Sequence, residues 1–142
     1  VAIPQPDGEG VIHAIKFALA SSGISADEVD YINAHATSTP MGDVAELKAI
    51  KSVFGSNAKA MISSTKAITG HGLSLAGVME AAFCALAMKE GFTPGSAHIS
   101  ELDPEAEGLN IITKTQMTAP KTSLSLSSGF GGANVAIVLQ KA

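Results

Sequence analysis

Two stretches of the chain repeat one local pattern, in which a short apolar run opens into a polar turn and a helix-forming segment follows. The apolar runs cover residues 29–34 and 61–64, and the turns behind them carry His35 and His71. Short apolar runs that alternate with helices are typical of strands in α/β proteins. Open α/β sheets bind their ligands at the carboxyl ends of such strands. We therefore expect both histidines to lie at a functional edge of one sheet.

The rest of the chain extends this pattern into a single α/β domain over residues 1–142. Apolar residues recur at helical spacing in three segments, and a glycine follows each of them, as is common at helix C-termini. The predicted helices cover residues 8–22, 43–54 and 75–89, and further strands are predicted at 109–113, 122–127 and 134–140. We expect a sheet of mixed strand direction that is covered by helices.

Composition excludes several classes of function. The net charge is −4, the nine basic residues are all lysine, and aromatic residues make up 4% of the chain, so no nucleic-acid-binding surface is expected. The single cysteine, Cys84, excludes an internal disulfide and suits the cytoplasm or an organelle of bacterial origin. No apolar stretch is long enough to predict a membrane span.

The two histidines suit the binding of negative charge that develops on an oxygen atom. A neutral imidazole donates one N–H at pH 7, and two converging imidazoles can bind one enolate oxygen. In the alternative interpretations, each histidine satisfies nearby backbone groups, or the pair belongs to a zinc site. The zinc site lacks a third ligand, because Cys84 falls within an apolar helix and His13 and His98 have no polar motif around them.

Charged side chains accompany the second histidine. Lys66 lies in the same turn as His71 and would supply positive potential that keeps nearby imidazoles neutral. Glu46 and Glu80 fall on otherwise apolar helix faces. A buried carboxylate is costly unless it is paired, so each is a candidate partner for Lys66 or for a bound cation.

A glycine-rich segment, residues 129–134, joins the last two predicted strands. No helix follows it, so it is not a dinucleotide-binding loop. Glycines on both sides of Phe130 favour a mobile ring at the mouth of a cavity, with backbone N–H groups exposed. In the first turn, Thr37 and Thr39 either bind a polar ligand chain or stabilise the turn itself.

Four segments in this order resemble one family: residues 33–43, 65–71 and 129–134, and the helix start at 9–16. Together they are similar to the C-terminal half of an elongating β-ketoacyl-acyl carrier protein synthase of the type I/II condensing group, in the thiolase-like superfamily. The resemblance covers essentially the whole chain. It implies a thiolase-like fold, in which two similar α/β halves form a layered α-β-α-β-α arrangement.

The resemblance also implies an acyltransferase of fatty acid or polyketide chain elongation. In this family a cysteine of the N-terminal half takes the acyl chain, malonyl carrier protein loses carbon dioxide, and the resulting enolate attacks the acyl-enzyme. No cofactor is implied beyond the phosphopantetheine of the acyl carrier protein that carries the substrates. The implied partners are this carrier protein, the N-terminal half and a second copy in a homodimer.

By matched motif, the resemblance gives roles to the residues of the two histidine turns. His35 and His71 bind the malonyl thioester carbonyl and stabilise the enolate. Lys66 tunes the electrostatics around His71, with Glu46 as its structural partner. These four residues are the catalytic set that the resemblance implies.

Further residues are implied to bind the substrate. Thr37 and Thr39 contact the phosphopantetheine arm. Phe130, next to Gly131, is the gating ring, and its backbone N–H belongs to the oxyanion hole for the acyl carbonyl. Similar enzymes often hold a monovalent cation near the positions of Asn33 and Glu80.

This sequence departs from the family pattern at three points. Cys84 does not occupy the motif of the nucleophile, and the chain begins at Val1 and not at methionine. We therefore expect the nucleophile to lie in an N-terminal half outside this chain, and the chain alone to have no condensing activity. Ala36 stands where many members have glycine. Ser128 replaces a phenylalanine that is common two residues before the gating ring, which puts the preferred acyl length in question.

Two other functions remain open. The first is a non-catalytic, chain-length-determining partner subunit, which has no chemical need for both histidines and Lys66. The second is a hydrolase that uses serine or threonine with histidine, for which a glycine-flanked nucleophile is lacking. For the chain as one half of a condensing enzyme, we expect an exposed apolar surface where the other half packs.

Overall fold

A mixed sheet forms the centre of the fold in the computed structural model, which describes residues 5–56 and 58–142. In this part of the chain the sheet has four strands in the order β2-β1-β3-β4. The strands are β1 (Tyr31–Asn33), β2 (Met61–Ser63), β3 (Thr122–Ser128) and β4 (Asn134–Gln140). Strand β1 pairs in parallel with β2 and β3, whereas β4 runs antiparallel to β3. The predicted mixed sheet is therefore confirmed.

The three long helices occupy the predicted segments, whereas one short helix forms where the sequence predicts a turn. The helices are α1 (Glu9–Ser22), α2 (Pro40–Phe54), the short α3 (Lys66–Thr69) and α4 (Ala76–Glu90), with single 3₁₀ turns at Ala26–Glu28, Leu73–Leu75, Pro104–Ala106 and Phe130–Gly132. Helix α2 begins three residues before the predicted start, at Pro40. Proline fits the first turn of a helix, where its missing N–H would have no partner and its fixed φ is already helical.

The prediction of a strand at 109–113 is wrong, because this segment forms no regular strand. Only Ile111 bridges to Ile62, although the Ile62 N–H donates to Asn110 O and the Ile112 N–H donates to Ile62 O, both at 2.9 Å. The Ile111 N–H turns back to Leu109 O at 3.0 Å, so it is not available to a ladder. The segment touches the edge of the sheet at one point and then leaves it.

The two faces of the sheet differ in chemistry. One face is apolar: Ile32, Ile62 and Leu124 pack with Ile15 of α1 and Ile50 of α2 in the main core. On the opposite face, alternate residues are polar, and α4 covers them by packing on β3. These polar residues are Tyr31, Asn33, Ser63, Ser123 and Ser125, all buried. The predicted functional edge lies at one end of this buried polar face.

Helix α4 is apolar on its exposed side as well as on the side that meets the sheet. Val78 is 70% exposed, and Leu86 is also exposed, as are Ile68 of α3 and Leu73 and Leu75 of the turn that precedes α4. An apolar surface of this kind is the surface that the sequence predicts for packing against another element. No helix in the described ranges is long and apolar enough to span a membrane.

Candidate active site

Three loops meet at one edge of the sheet, because β1, β2 and β3 are parallel and end on the same side. The loop after β1 carries His35, the loop after β2 carries Lys66 and His71, and the loop after β3 carries Phe130. This is the edge at which the sequence predicts a site, and it gives side chains from distant parts of the chain a common position.

The two histidines contact each other edge to face. Their ring centroids are 5.4 Å apart and the ring planes are inclined by 83°. His71 is exposed and His35 is partly buried, and the buried Nδ1 of His35 has no hydrogen-bond partner among the described residues. The pair therefore keeps polar atoms free for a ligand.

The backbone that holds His35 is fixed by Glu46 of α2. The N–H groups of His35 and Ala36 donate to the two carboxylate oxygens of Glu46 at 2.7 and 2.8 Å. Ala36 has a φ of 31°, and Ser38 has a φ of 61°, so both lie in the region that favours glycine. The strained turn at Ala36 thus explains why glycine would suit this position, and Glu46 stabilises it.

Lys66 pairs with Glu80 of α4 and not with Glu46, so the predicted Lys66–Glu46 partnership is wrong. The ammonium group of Lys66 forms a buried ion pair with Glu80 Oε1. Glu46 already accepts its two backbone N–H groups in the first turn, whereas Glu80 lies on the face of α4 that covers the polar side of the sheet. Burial raises the pKa of Glu80, and the hydrogen bond and charge of Lys66 oppose that rise.

Burial and neighbouring charge keep His35 neutral at pH 7. Burial is the largest cause that lowers its pKa from 6.5 to about 4, followed by repulsion from Lys66 and then from His71. Glu46 behaves in the opposite way, since burial raises its pKa to about 7 although the N–H groups of Ala36 and His35 favour the ionised form. The uncharged His35 ring therefore has one N–H that donates a hydrogen bond and one nitrogen that accepts one.

A chain of hydrogen bonds runs under the site through the buried polar face. Asn33 Nδ2 donates to the Tyr31 hydroxyl at 2.9 Å, this hydroxyl lies 3.0 Å from Ser63 Oγ, and Ser63 Oγ donates to the Pro94 carbonyl. Burial also raises the pKa of Tyr31, so its hydroxyl stays protonated. The oxygens Asn33 Oδ1 and Glu80 Oε2 are buried and lack a partner among the described residues. Oxygen atoms are the ligands of hard cations, so the monovalent cation that the resemblance implies near these two residues stays a prediction.

The predicted substrate-binding residues lie around the turns. Thr37 and Thr39 pair through their hydroxyls at 3.3 Å at the start of α2, where Thr39 is exposed. Phe130 is 88% exposed, and Gly131 and Gly132 have φ values of 81° and 83°, which glycine adopts readily. The threonine pair supports the stabilisation of the turn itself. The binding of a ligand chain by Thr37 and Thr39 stays a prediction.

Sequence reasoning missed Tyr31, Ser63 and the polar face to which they belong. The signal was the alternation of Ser123, Ser125 and Ser127 with leucine in β3. Cys84 is buried, and burial raises its pKa to about 12, as expected for a small core thiol. Among residues 5–56 and 58–142, no three histidine, cysteine or acidic side chains are grouped so that they can hold a metal ion.

Comparison with known proteins identifies relatives of this chain. Residues 1–100 match the family model of the beta-ketoacyl synthase C-terminal domain. The 3-oxoacyl-[acyl-carrier-protein] synthase 1 of Escherichia coli strain K12 is 48% identical over 136 residues, which cover 96% of this chain and 32% of that protein. The 3-oxoacyl-[acyl-carrier-protein] synthase 2 of Staphylococcus aureus strain COL is 42% identical over 143 residues, covering 99% and 34%. The chain therefore spans about a third of the length of these relatives.

Solved structures give the same result for the fold. A ketosynthase in complex with its type II polyketide synthase acyl-carrier protein aligns with a TM-score of 0.93 at 33% identity, over 99% of this chain and 35% of that one. A ketosynthase in complex with its chain length factor from Xenorhabdus doucetiae aligns with a TM-score of 0.91 at 36% identity, over the same shares. The thiolase-like fold is confirmed. On the family match and these relatives, with the two histidine turns meeting at one edge of the sheet, the chain belongs to the beta-ketoacyl synthase family, in which it corresponds to the C-terminal domain.

Proposed function

We propose that this chain, residues 1–142, acts as the C-terminal domain of a condensing enzyme that elongates fatty acid or polyketide chains. In this proposal its site decarboxylates malonyl carrier protein and stabilises the resulting enolate. The observation that carries the proposal is the contact between His35 and His71, with the His35 ring held neutral beside the Lys66–Glu80 ion pair. The C-terminal domain family to which the chain belongs supports it.

The chemistry follows from the positions of the two rings. The malonyl thioester carbonyl accepts hydrogen bonds from the imidazoles of His35 and His71. When the bond to the carboxylate breaks, carbon dioxide leaves and its bonding electron pair moves into the enolate, whose oxygen becomes negative. Neutral donors stabilise that oxygen in a partly buried site, where hydrogen bonds to charge are stronger than in water.

The second half of the reaction needs the acyl-enzyme. The enolate carbon attacks the acyl carbonyl of a cysteine thioester, the new carbon–carbon bond forms, and the cysteine leaves as thiolate. We assign this cysteine to the N-terminal half that the family resemblance implies. The backbone N–H of Phe130 would stabilise the acyl oxyanion, Phe130 and Gly131 would form the gate, and a monovalent cation near Asn33 and Glu80 would be structural.

Lys66 and Glu46 position the imidazoles. Lys66 contributes to the lowered pKa of His35, while Glu80 fixes its ammonium group. Glu46 acts through the backbone, since it binds the N–H groups of His35 and Ala36. Thr37 and Thr39 would receive the phosphopantetheine arm of an acyl carrier protein, and we propose no other cofactor. We further propose a homodimer in the cytoplasm or in an organelle of bacterial origin.

The experiment uses the full-length enzyme with His35→Ala, His71→Ala and the matched control His13→Ala on the exposed face of α1. We expect both site variants to lose release of carbon dioxide from malonyl carrier protein by about a hundredfold or more, the size of effect that oxyanion-hole donors have elsewhere. Transfer of the acyl group to the nucleophile should remain within a few-fold of the parent. Loss of acyl transfer with decarboxylation intact would contradict the proposal.

A second candidate is the non-catalytic partner subunit. The alignment with a ketosynthase and chain length factor complex keeps this candidate open. The reading frame upstream of Val1 discriminates the two. A cysteine in a strand-to-helix turn there supports the enzyme, and glutamine or another residue at that turn supports the partner subunit.

A further inference from the structure

The loop that carries Phe130 is bound at its base by the side chain of Asn134. Ser128, the last residue of β3, and Asn134, the first residue of β4, are register partners on either side of this loop. Ser128 Oγ donates to Asn134 Oδ1 at 2.9 Å, and Asn134 Nδ2 donates to the Gly132 carbonyl at 3.1 Å. One amide group therefore connects the end of the strand to the far side of the loop.

Helix α1 limits where that amide can lie. A Cβ atom at Gly10 would come within 2.4 Å of Asn134 Nδ2, so the absence of a side chain at this position leaves the space that the amide occupies. The remaining surroundings give the loop little packing. An open surface groove lies beside it, lined by Gly10, His13, Phe17, Gly132 and Asn134 among others. Hydrogen bonds, and not packing, therefore hold this loop.

The loop has few other restraints. The Gly129 N–H donates to the Ala133 carbonyl at 2.8 Å, which closes the loop at its base. Between these residues Phe130 is exposed, and Gly131 and Gly132 permit many backbone conformations. The bond from Asn134 Nδ2 to Gly132 is thus the one side-chain hydrogen bond to the segment 130–132 among the described residues, and the Ser128 hydroxyl holds the amide that makes it.

We infer that Ser128 is a positioning residue for the Phe130 loop and acts through Asn134. Its hydroxyl is the donor that fixes the amide so that Nδ2 faces Gly132, and this fixes the direction of the Phe130 backbone N–H. A phenylalanine at position 128 has no hydroxyl and cannot make this bond, so the restraint is specific to sequences with serine or threonine there. The effect on catalysis rests on the proposed function, whereas the restraint on the loop does not.

The test measures hydrogen exchange of the amides of residues 129–133 in the full-length protein. Ser128→Ala should raise their exchange rate about fivefold, the factor expected for the loss of one ordinary hydrogen bond. Gly10→Ala should give a similar increase by displacing the amide of Asn134, and it favours helix formation, so α1 is retained. Ser128→Thr keeps the hydroxyl and should restore the parent rate. Unchanged exchange in Ser128→Ala, or equal increases in Ser128→Ala and Ser128→Thr, would overturn the inference.

A kinetic measurement separates this inference from the proposed function. In the full-length enzyme, Ser128→Ala should slow transfer of the acyl group to the nucleophile about fivefold and leave decarboxylation of malonyl carrier protein unchanged, and Ser128→Thr should reverse the defect. Faster exchange with both partial reactions unchanged would support the loop restraint and contradict the proposed role of the Phe130 N–H. A parallel loss of both partial reactions would overturn Ser128 as a positioning residue for this loop alone.

Discussion

The carboxylate of Glu46 binds the backbone N–H of His35 at 2.7 Å and that of Ala36 at 2.8 Å, from a position eleven and ten residues further along the chain. Helix α2 therefore holds the strained turn from which the His35 ring projects. The carboxylate itself is buried, and this burial raises its pKa to about 7. The same group therefore fixes the backbone of the turn and makes the stability of the fold depend on pH.

We predict that Glu46→Gln changes how stability depends on pH. The folded-state pKa, about 7, is above the ordinary value of 4.5, so this carboxyl contributes stability that is fully present below pH 4.5 and is lost as the pH rises through 7. Glutamine does not titrate and keeps only one acceptor. At pH 5 the variant should have a free energy of unfolding about 1–3 kcal/mol below that of the parent. Because the parent loses stability as the pH rises to 8 and the variant does not, this difference should be smaller at pH 8. Urea unfolding at pH 5 and pH 8 measures this difference, and Glu101→Gln at an exposed position is the control. A difference that is larger at pH 8 than at pH 5 would contradict the prediction.

We predict that the Lys66–Glu80 pair is strongly coupled. Both side chains are buried, so Lys66→Met leaves a buried carboxylate without its partner and should lower the free energy of unfolding by about 3–5 kcal/mol. Glu80→Met should act similarly, and the double variant should lose clearly less than the sum of the two. A double-mutant cycle from urea unfolding gives the coupling. Additive losses would show that the two groups do not interact.

We predict that the His35 ring stays neutral down to about pH 4. Its folded-state pKa lies below the ordinary 6.5, so it contributes stability that is present above pH 6.5 and is lost as the pH falls through 4. NMR titration of the ring protons measures the pKa, and His35→Gln assigns the signal. Lys66→Met should raise the pKa but not restore 6.5, because burial is the larger cause. A titration near 6.5 in the unmodified chain would contradict this prediction.

We predict that Cys84 resists alkylation in the folded chain. Burial, with the nearby charge of Glu80, raises the pKa of its thiol to about 12, and only the thiolate reacts. Iodoacetamide at pH 8 should modify it more than about a hundredfold faster after denaturation in urea. Cys84→Ala with Ser100→Cys, which puts a thiol on an exposed loop, is the matched positive control. Rapid labelling of native Cys84 would show that α4 opens or that the thiol is accessible.

The sequence predicts most elements of this fold because their ends carry strong local signals. Gly23, Gly55 and Gly91 end the three long helices, and the apolar runs before His35 and His71 form the expected strands. Parallel strands bring their ends to one edge, so the meeting of the two histidines also follows from the pattern. Local periodicity is sufficient for these features.

The partner of Lys66 depends on tertiary structure. Glu46 and Glu80 both lie on otherwise apolar helix faces, so the sequence offers two equivalent carboxylates. The choice depends on which helix covers the polar face of the sheet, and that helix is α4. The polar face could not be predicted from β1 and β2, because each has only three residues, too few for an alternating pattern to be recognised. At 109–113 the apolar residues suggest a strand, but the Ile111 N–H bonds back to Leu109.

The hydrogen-bond chain beneath the site has a fixed polarity, and a backbone carbonyl determines it. The Pro94 carbonyl can only accept, so the single proton of Ser63 must point to it, and Ser63 must in turn accept from Tyr31. Because the Tyr31 hydroxyl donates its proton to Ser63, it can only accept from Asn33, so the NH₂ group of Asn33 is the donor. The Asn33 amide therefore cannot rotate by half a turn without breaking this chain of hydrogen bonds. The Pro94 carbonyl, in a loop distant in the chain, therefore determines that Asn33 Oδ1, and not its NH₂ group, is the atom left without a partner among the described residues.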